Sequence, residues 1–490
     1  MPFYIPMTAA DLWALLPELF LSTLLCLILT LDFLKPAGDK RLLAHLSNLG
    51  LVALLLIIAE MGLSGVDRHL FGNMYVVDKL SLFFKAFVVL CTILIIAVSV
   101  DYTQTLPAFR GEYYVLVLFS ALGMLFMASA NDLLTMFITL EFSTFGFYIL
   151  VAYQRKDPAS SEAGLKLFIL GAFTASLIAF GISLIYGETG TLVFDEIARR
   201  AHTITPGLVV GFLLILAGLG FKIGAAPFHS WIPDTYQGAP TPVTAFLSIA
   251  PKGAAFAVLL RFLLTAFGAD KAHWVWLLIL LAMLSMTYGN LVAIAQRNIK
   301  RLLAYSGIAQ IGNILIGLAA GSKTGSDSIL FYLLTYLFAN LGAFAVIIAV
   351  SHQTNGELID DYKGLNRRSP MLAATMLIFL LSLAGVPPLA GFIGKLYLFV
   401  AAAQEGLYTL IIVGLINIVI SMYYYLIVVK KIYVNEPVDA SPLTVQPMMQ
   451  TVILGSAALV LILGVYPRPF FALVTAATQL FAGVNVASLP

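Results

Sequence analysis

The feature that most constrains this chain is a succession of long apolar runs separated by short polar stretches. Fourteen of them read as helical membrane crossings, near 12–34, 43–63, 80–100, 113–130, 132–153, 163–186, 206–226, 241–266, 274–295, 300–320, 328–351, 371–399, 407–429 and 449–467. A hydrocarbon core about 30 Å thick takes about 20 helical residues per crossing. The runs are too long for barrel strands and do not alternate, so strands are not expected. Composition agrees, because 61% of the 490 residues are hydrophobic and only 11% are charged. Soluble domains carry roughly 25% charged residues. Too few polar groups remain to cover a water-facing body of this size, which excludes a soluble enzyme and a disordered chain. The predicted fold class is an all-α polytopic membrane protein with about fourteen transmembrane helices.

Loop charge tests that count. With the N-terminus outside, the inner loops hold fourteen Lys and Arg residues, from Lys35 to Lys431, and the outer loops hold seven, from Arg68 to Arg468. This excess obeys the positive-inside rule, and an even helix count puts both termini outside. Met1 to Leu12 carries no Lys or Arg, so a secretory signal is not expected. The net charge is only +2, and no basic field marks a nucleic-acid partner. The two cysteines, Cys26 and Cys91, both lie in apolar runs, and ligands for a zinc site or an iron–sulfur cluster are lacking. Gly218 and Gly220 are followed by Ile223, where a dinucleotide fingerprint needs a third glycine. No cofactor is expected on this chain.

Six basic residues remain inside the runs: Lys85, Lys166, Lys222, Lys252, Arg261 and Lys395. Glu18, Glu60 and Glu141 are their acidic counterparts. An ionisable group at membrane depth costs at least about 2.5–3.5 kcal/mol, unless it lies near a helix end and snorkels to the interface. Arg261 and Glu60 lie at span ends and are expected to snorkel. Lys85, Lys166 and Glu18 lie early in their spans, and both readings stay open for them. Glu141, Lys222, Lys252 and Lys395 lie too deep to snorkel. A buried carboxylate needs a cation or it takes up a proton, and Lys222 is the natural partner of Glu141. A static ion pair would account for those two. Three lysines against one carboxylate still leave charge uncompensated, and a lysine that changes charge state carries protons.

Each deep lysine stands beside a helix breaker. Lys222 lies among Gly218, Gly220, Gly224 and Pro227; Lys252 follows Pro251; Lys395 follows Gly385, Pro387, Pro388 and Gly391. Freed backbone groups cannot face lipid, so these sites should be hydrated and should face the protein interior. The two most disrupted spans, the seventh and the twelfth, are five helices apart. Two five-helix units in tandem must run in opposite directions, which predicts an inverted repeat with discontinuous helices 7 and 12. The expected organisation is helices 1–3 over 1–111, a first repeat of helices 4–8 over 112–270, a second repeat of helices 9–13 over 271–432, and helix 14 with a tail over 433–490.

The stretch Gly220-Phe221-Lys222-Ile223-Gly224-Ala225-Ala226-Pro227-Phe228-His229-Ser230-Trp231-Ile232-Pro233-Asp234 through Pro242-Val243 resembles the central signature of the antiporter-like membrane subunits of respiratory complex I (NADH:quinone oxidoreductase). Multisubunit sodium/proton antiporters share it. Tyr236-Gln237-Gly238, the run from Lys300 to Ser306, and Gly391 to Lys395 look like the N-type subunits rather than L or M. The resemblance covers nearly the whole chain. It implies a proton relay in which Glu141 is the fifth-helix glutamate, Lys222 its seventh-helix partner, Lys252 the eighth-helix lysine and Lys395 the twelfth-helix lysine. Lys166 matches a sixth-helix lysine of N-type chains and is a weaker candidate. Phe142-Ser143-Thr144-Phe145-Gly146 departs from the usual Leu-Met-Ser-Leu after the glutamate, although the acid remains.

His229 has two readings, a proton relay near neutrality or a hydrogen-bonding role that positions the loop, of which the second is preferred. Asp234 reads as a loop or cap residue. Lys300 reads equally as a solvated anchor or a pathway residue. The resemblance further implies a bacterial inner (plasma) membrane location, neighbours of K and M type in the membrane arm, and NAD, FMN, iron–sulfur clusters and quinone on partner subunits. The alternatives are a subunit of a cation/proton antiporter and a non-pumping structural subunit of the arm. A quinone-binding enzyme is a weaker alternative.

Overall fold

The computed structural model describes residues 7–34, 39–106, 110–201, 203–354, 356–437 and 439–482. Lys35 and the outermost residues of both termini, which enter the loop-charge reading, lie outside the described residues. The long helices follow the apolar runs. They are α1 (Leu16–Leu34), α2 (Arg41–Leu63), α3 (Lys79–Thr105), α4 (Glu112–Ala128), α5 (Leu133–Val151), α6 (Pro158–Thr189), α7a (Pro206–Ile223), α7b (Trp231–Gly238) and α8 (Thr241–Arg261). They continue as α9 (Lys271–Ile294), α10 (Ile299–Ala320), α11 (Lys323–Thr354), α12a (Pro370–Ala384), α12b (Ala390–Gln404), α13 (Tyr408–Tyr433) and α14 (Pro447–Val465). Twelve are long and apolar enough to cross a membrane alone. The two remaining predicted crossings are the shorter α4 and the split α12a/α12b. This is a multi-pass membrane protein.

Starts are set by polar side chains that take up otherwise unpaired N–H groups. Asp78 caps α3, Asp132 caps α5 and Asn298 caps α10. Helices α8, α10 and α11 are almost wholly buried, whereas α1, α2, α6 and α13 expose most of their surface. Exposed residues such as Phe33, Phe173 and Val419 make an apolar outer face, as a lipid-facing ring requires.

The repeat shows in the packing. Helix α4 packs on α5, α5 on α6, α6 on both halves of α7, and α8 returns to α4. In the same way α9 packs on α10, α10 on α11, α11 on both halves of α12, and α13 returns to α9. The two breaks are also built alike. Gly224 at φ +78° and Gly385 at φ +90° end the first halves in the left-handed region. The next residues, Ala225 and Val386, donate back to the carbonyls of Gly220 and Leu381 at 2.9 and 3.0 Å, the Schellman closure that glycine at this position permits.

Three details depart from the sequence reading. Helix α8 runs through Pro251 without breaking and passes into a π-helical turn, Phe262–Ala266. The last predicted crossing stops at Val465, and a separate helix α15, Arg468–Ala477, follows Pro467. A short hairpin of β1 (Arg68–Leu70) and β2 (Tyr75–Val77) lies between α2 and α3, where no strand was expected. Two three-residue strands carry too little pattern to be read in sequence.

Candidate functional site

Of the four deep charged residues, Lys222 and Lys395 flank the two helix breaks, and Glu141 and Lys252 lie within the continuous helices α5 and α8. In the last turn of α7a, Lys222 Nζ lies 3.1 Å from Glu141 Oε1 of α5 and donates to Thr144 Oγ1 at 2.9 Å. The departure after Glu141 thus supplies a second partner, Thr144, one turn along the helix. The pair is only partly enclosed, with side-chain exposures of 10% for Lys222 and 27% for Glu141. Trp231 Nε1 donates to the Phe221 carbonyl at 2.9 Å, and Ala226 N donates to Ser285 Oγ at 2.9 Å. Side chains of α7b and α9 therefore take up backbone groups around the break, as membrane depth demands.

Lys252 is 1% exposed. Its Nζ has no hydrogen-bond partner among the described residues. Its Nζ lies over the ring of Tyr236 of α7b, 5.8 Å from the ring centroid. A Cβ placed on Gly307 of α10 would meet Lys252 Nζ at 3.3 Å and Tyr336 Oη at 3.2 Å, so only glycine leaves the space between them open. At Lys222 a cavity of about 30 Å³ is lined by Ser143, Thr144, Lys222, Leu247 and Pro251. That volume accommodates a water molecule. Pro251 has no N–H to give the Leu247 carbonyl, and both residues line this cavity.

Lys395 is 3% exposed, and its Nζ donates to the carbonyls of Leu383 at 2.9 Å and Ala384 at 3.1 Å. The residues four positions on from these carbonyls are Pro387 and Pro388, which cannot donate. The break in helix 12 thus makes the acceptors, and the lysine uses them. The repeat is not symmetric in its charges. Lys222 stands two residues before its break and Lys395 ten residues after its own, so the two belong to opposite halves of their broken helices.

Some expectations are corrected, and the readings left open for Glu18, Lys85 and Lys166 are decided. Arg261 does not snorkel; it is buried and lies 2.6 Å from Asp78 Oδ1, because the cap residue of α3 meets the end of α8. Glu18 and Lys85 are both buried and pair at 2.8 Å, with Lys85 also 3.4 Å from Tyr75 Oη. Lys300 is not solvated; it is 2% exposed, pairs with Glu357 at 2.6 Å and donates to the Ala239 carbonyl at 3.0 Å. Lys166 lies at a rim, 42% exposed, with Glu162 and Asp234 each at 2.8 Å. Asp234, expected as a loop or cap residue, instead lies in the first turn of α7b and binds both Lys166 and Arg301. His229 is half-buried, its ring 4.5 Å from that of Tyr288. Glu60 is exposed at its span end, as expected.

Two inverted five-helix units, each with a broken helix, and charged residues held at membrane depth define an antiporter-like membrane subunit. A family profile described as NADH:quinone oxidoreductase/Mrp antiporter, transmembrane, matches residues 130–421. The chain is 43% identical over 95% of its length to NADH-quinone oxidoreductase subunit N of Desulforamulus reducens, of which it covers 97%. Its fold matches a chain of respiratory complex I from Thermus thermophilus with a TM-score of 0.82 and 34% identity, covering 94% of this chain and 99% of that one. A chain of the Mrp complex from Dietzia shares the fold alone, at a TM-score of 0.88 and 21% identity, over 97% of this chain and 98% of that one. The chain belongs to the NADH-quinone oxidoreductase subunit N family. It is a membrane-arm, antiporter-like subunit, and its partners include other membrane-arm subunits.

Proposed function

We propose that this chain translocates protons as part of a proton-pumping NADH:quinone oxidoreductase, through a relay of Glu141, Lys222, Lys252 and Lys395. The observation that carries this reading is Lys252. Its helix, α8, packs on α5 and α7a and also on α10 and α11, and its Nζ has no anion beside it and no hydrogen-bond partner among the described residues. A structural ammonium would be paired, because an unpaired buried charge is costly. A carrier has to be free to lose its proton. While Glu141 lies close to Lys222, that lysine is held charged. Movement of the carboxylate, or a charge delivered by a neighbouring subunit, releases the proton towards Lys252 and then Lys395. Moving one charge across the membrane works against about 2.3 kcal/mol per 100 mV, which redox chemistry elsewhere in the complex must supply.

In this reading Lys166 and His229 are accessory, since Lys166 is at the rim and the His229 ring packs at a tilt against Tyr288. NAD, FMN, iron–sulfur clusters and quinone are assigned to partner subunits, with K- and M-type chains as neighbours. The chain lies in the bacterial inner membrane with both termini outside. It divides into helices 1–3 (1–111), two five-helix repeats (112–270 and 271–432) and a C-terminal part (433–490). In an assembled complex, Glu141→Ala and Lys222→Ala each lower proton translocation and coupled quinone reduction by about tenfold, equivalent to about 1.4 kcal/mol of barrier. Proton uptake by vesicles during NADH oxidation measures this, and normal pumping in both variants would refute the reading.

A further inference from the structure

A buried polar face of α10 runs between Lys252 and Lys395. Ser306, Gln310 and Asn313 recur at helical spacing, and each is at most 5% exposed. Gln310 carries the fullest set of bonds. Its Nε2 donates to the Leu383 carbonyl at 2.9 Å and lies 3.4 Å from Tyr425 Oη. Its Oε1 accepts from the Tyr332 hydroxyl and from Asn313 Nδ2, the latter at 3.0 Å. The Leu383 carbonyl also accepts from Lys395 Nζ. One backbone oxygen, with two lone pairs, therefore joins the amide to the ammonium. Towards the other lysine, the Tyr425 hydroxyl bonds Ser306 Oγ, and the next residue, Gly307, faces Lys252 Nζ and the Tyr336 hydroxyl.

Resting on the relay reading above, we propose that Gln310 is a positioning residue. By donating to the Leu383 carbonyl while accepting from Tyr332, its amide fixes where the Lys395 ammonium stands and orients the hydroxyls between the two lysines. The place requires one group that both donates and accepts. Lysine offers only donors, and a carboxylate offers only acceptors and would pin Lys395 by charge. A carboxamide does both and stays neutral, so it orders the path without competing for the proton. Proton exchange remains balanced between the lysines, one ammonium becoming an amine as the other amine becomes an ammonium.

The test uses the assembled complex in membrane vesicles and reads the rate of proton translocation during NADH oxidation, per assembled complex. Gln310→Leu keeps the approximate volume and removes both functions; the rate falls by about tenfold. Gln310→His restores it to within about threefold, because a neutral imidazole has one donor and one acceptor nitrogen. A space-filling residue would give no such rescue. Wild-type rates in Gln310→Leu, or equal losses in the Leu and His variants, overturn the proposal. If Gln310→Leu does not assemble, Tyr332→Phe removes only the hydroxyl that orients Oε1; a loss of about threefold supports the proposal and an unchanged rate overturns it. Lys395→Ala in the same vesicles separates the two levels. If it pumps normally, the relay itself fails. If it loses pumping while Gln310→Leu does not, only the positioning role fails.

Discussion

Lys252→Met lowers proton translocation by about a hundredfold or more while the complex still assembles. Methionine follows the path of the lysine stem and fills the same space beside Gly307 and Tyr236. It removes the amine and leaves no buried charge behind, since Lys252 has no carboxylate partner among the described residues. Stability therefore changes little, and a methionine core residue is well tolerated. Transport changes greatly. A charge that must cross this depth without a carrier meets at least about 2.5–3.5 kcal/mol, and each 1.36 kcal/mol of barrier is a factor of ten in rate. Proton uptake and assembly, measured on the same membranes, check both halves. A methionine variant that pumps at the wild-type rate would mean that Lys252 is packing.

The second large effect concerns stability. Lys85→Met alone destabilises the protein by about 3–5 kcal/mol, the range for breaking a buried ion pair from one side. The variant strips the cation from Glu18, which is 1% exposed and lies 2.8 Å from Lys85. The double variant Glu18→Leu, Lys85→Met removes both charges, and stability returns to near the wild-type level. Thermal unfolding of the detergent-solubilised complex, followed by retention of this subunit, measures it. Additive losses in the double variant would show that the two residues act independently. Proton pumping should survive in the double variant, because Glu18 and Lys85 pair with each other and not with any of the four relay residues.

Where this fold was legible in the sequence, the cost of membrane burial made it so. Each crossing needs a continuous apolar run, and fourteen such runs became helices or broken helices in the expected places. Glu141 and Lys222 were paired on the same ground, because neither can stay charged alone at that depth, and they stand 3.1 Å apart. Beside Lys395 the sequence placed freed backbone groups, which neighbouring helices or water were expected to take up; the carbonyls that Pro387 and Pro388 cannot bond are bound by Lys395 itself.

What was hidden depended on partners distant along the chain. Asp78 and Arg261 are 183 residues apart in sequence, and nothing local tells that the start of one helix meets the end of another. Arg261 therefore looked like a snorkelling residue. Lys300 misled for the same reason, because Glu357 covers it from a connection far along the chain. Gln310 went unnoticed because a neutral amide in an apolar helix is not costly enough to stand out. Its signal was its company, with Ser306 four residues before and Asn313 three after, a polar stripe on one helix face. A stripe of that kind inside a wholly apolar span is worth reading as closely as a charge. The asymmetric placement of Lys222 and Lys395 about their breaks was likewise open to counting, once Gly224 and Gly385 were aligned as the equivalent helix ends.

The measurement that bears most directly on the central claim is infrared difference spectroscopy of the ¹⁵N-lysine-labelled complex at rest and during steady turnover. The account predicts isotope-sensitive ammonium bands that change with turnover, part of which disappear in Lys252→Met. Lysine bands that stay the same through turnover, in a complex that is pumping protons, would contradict it.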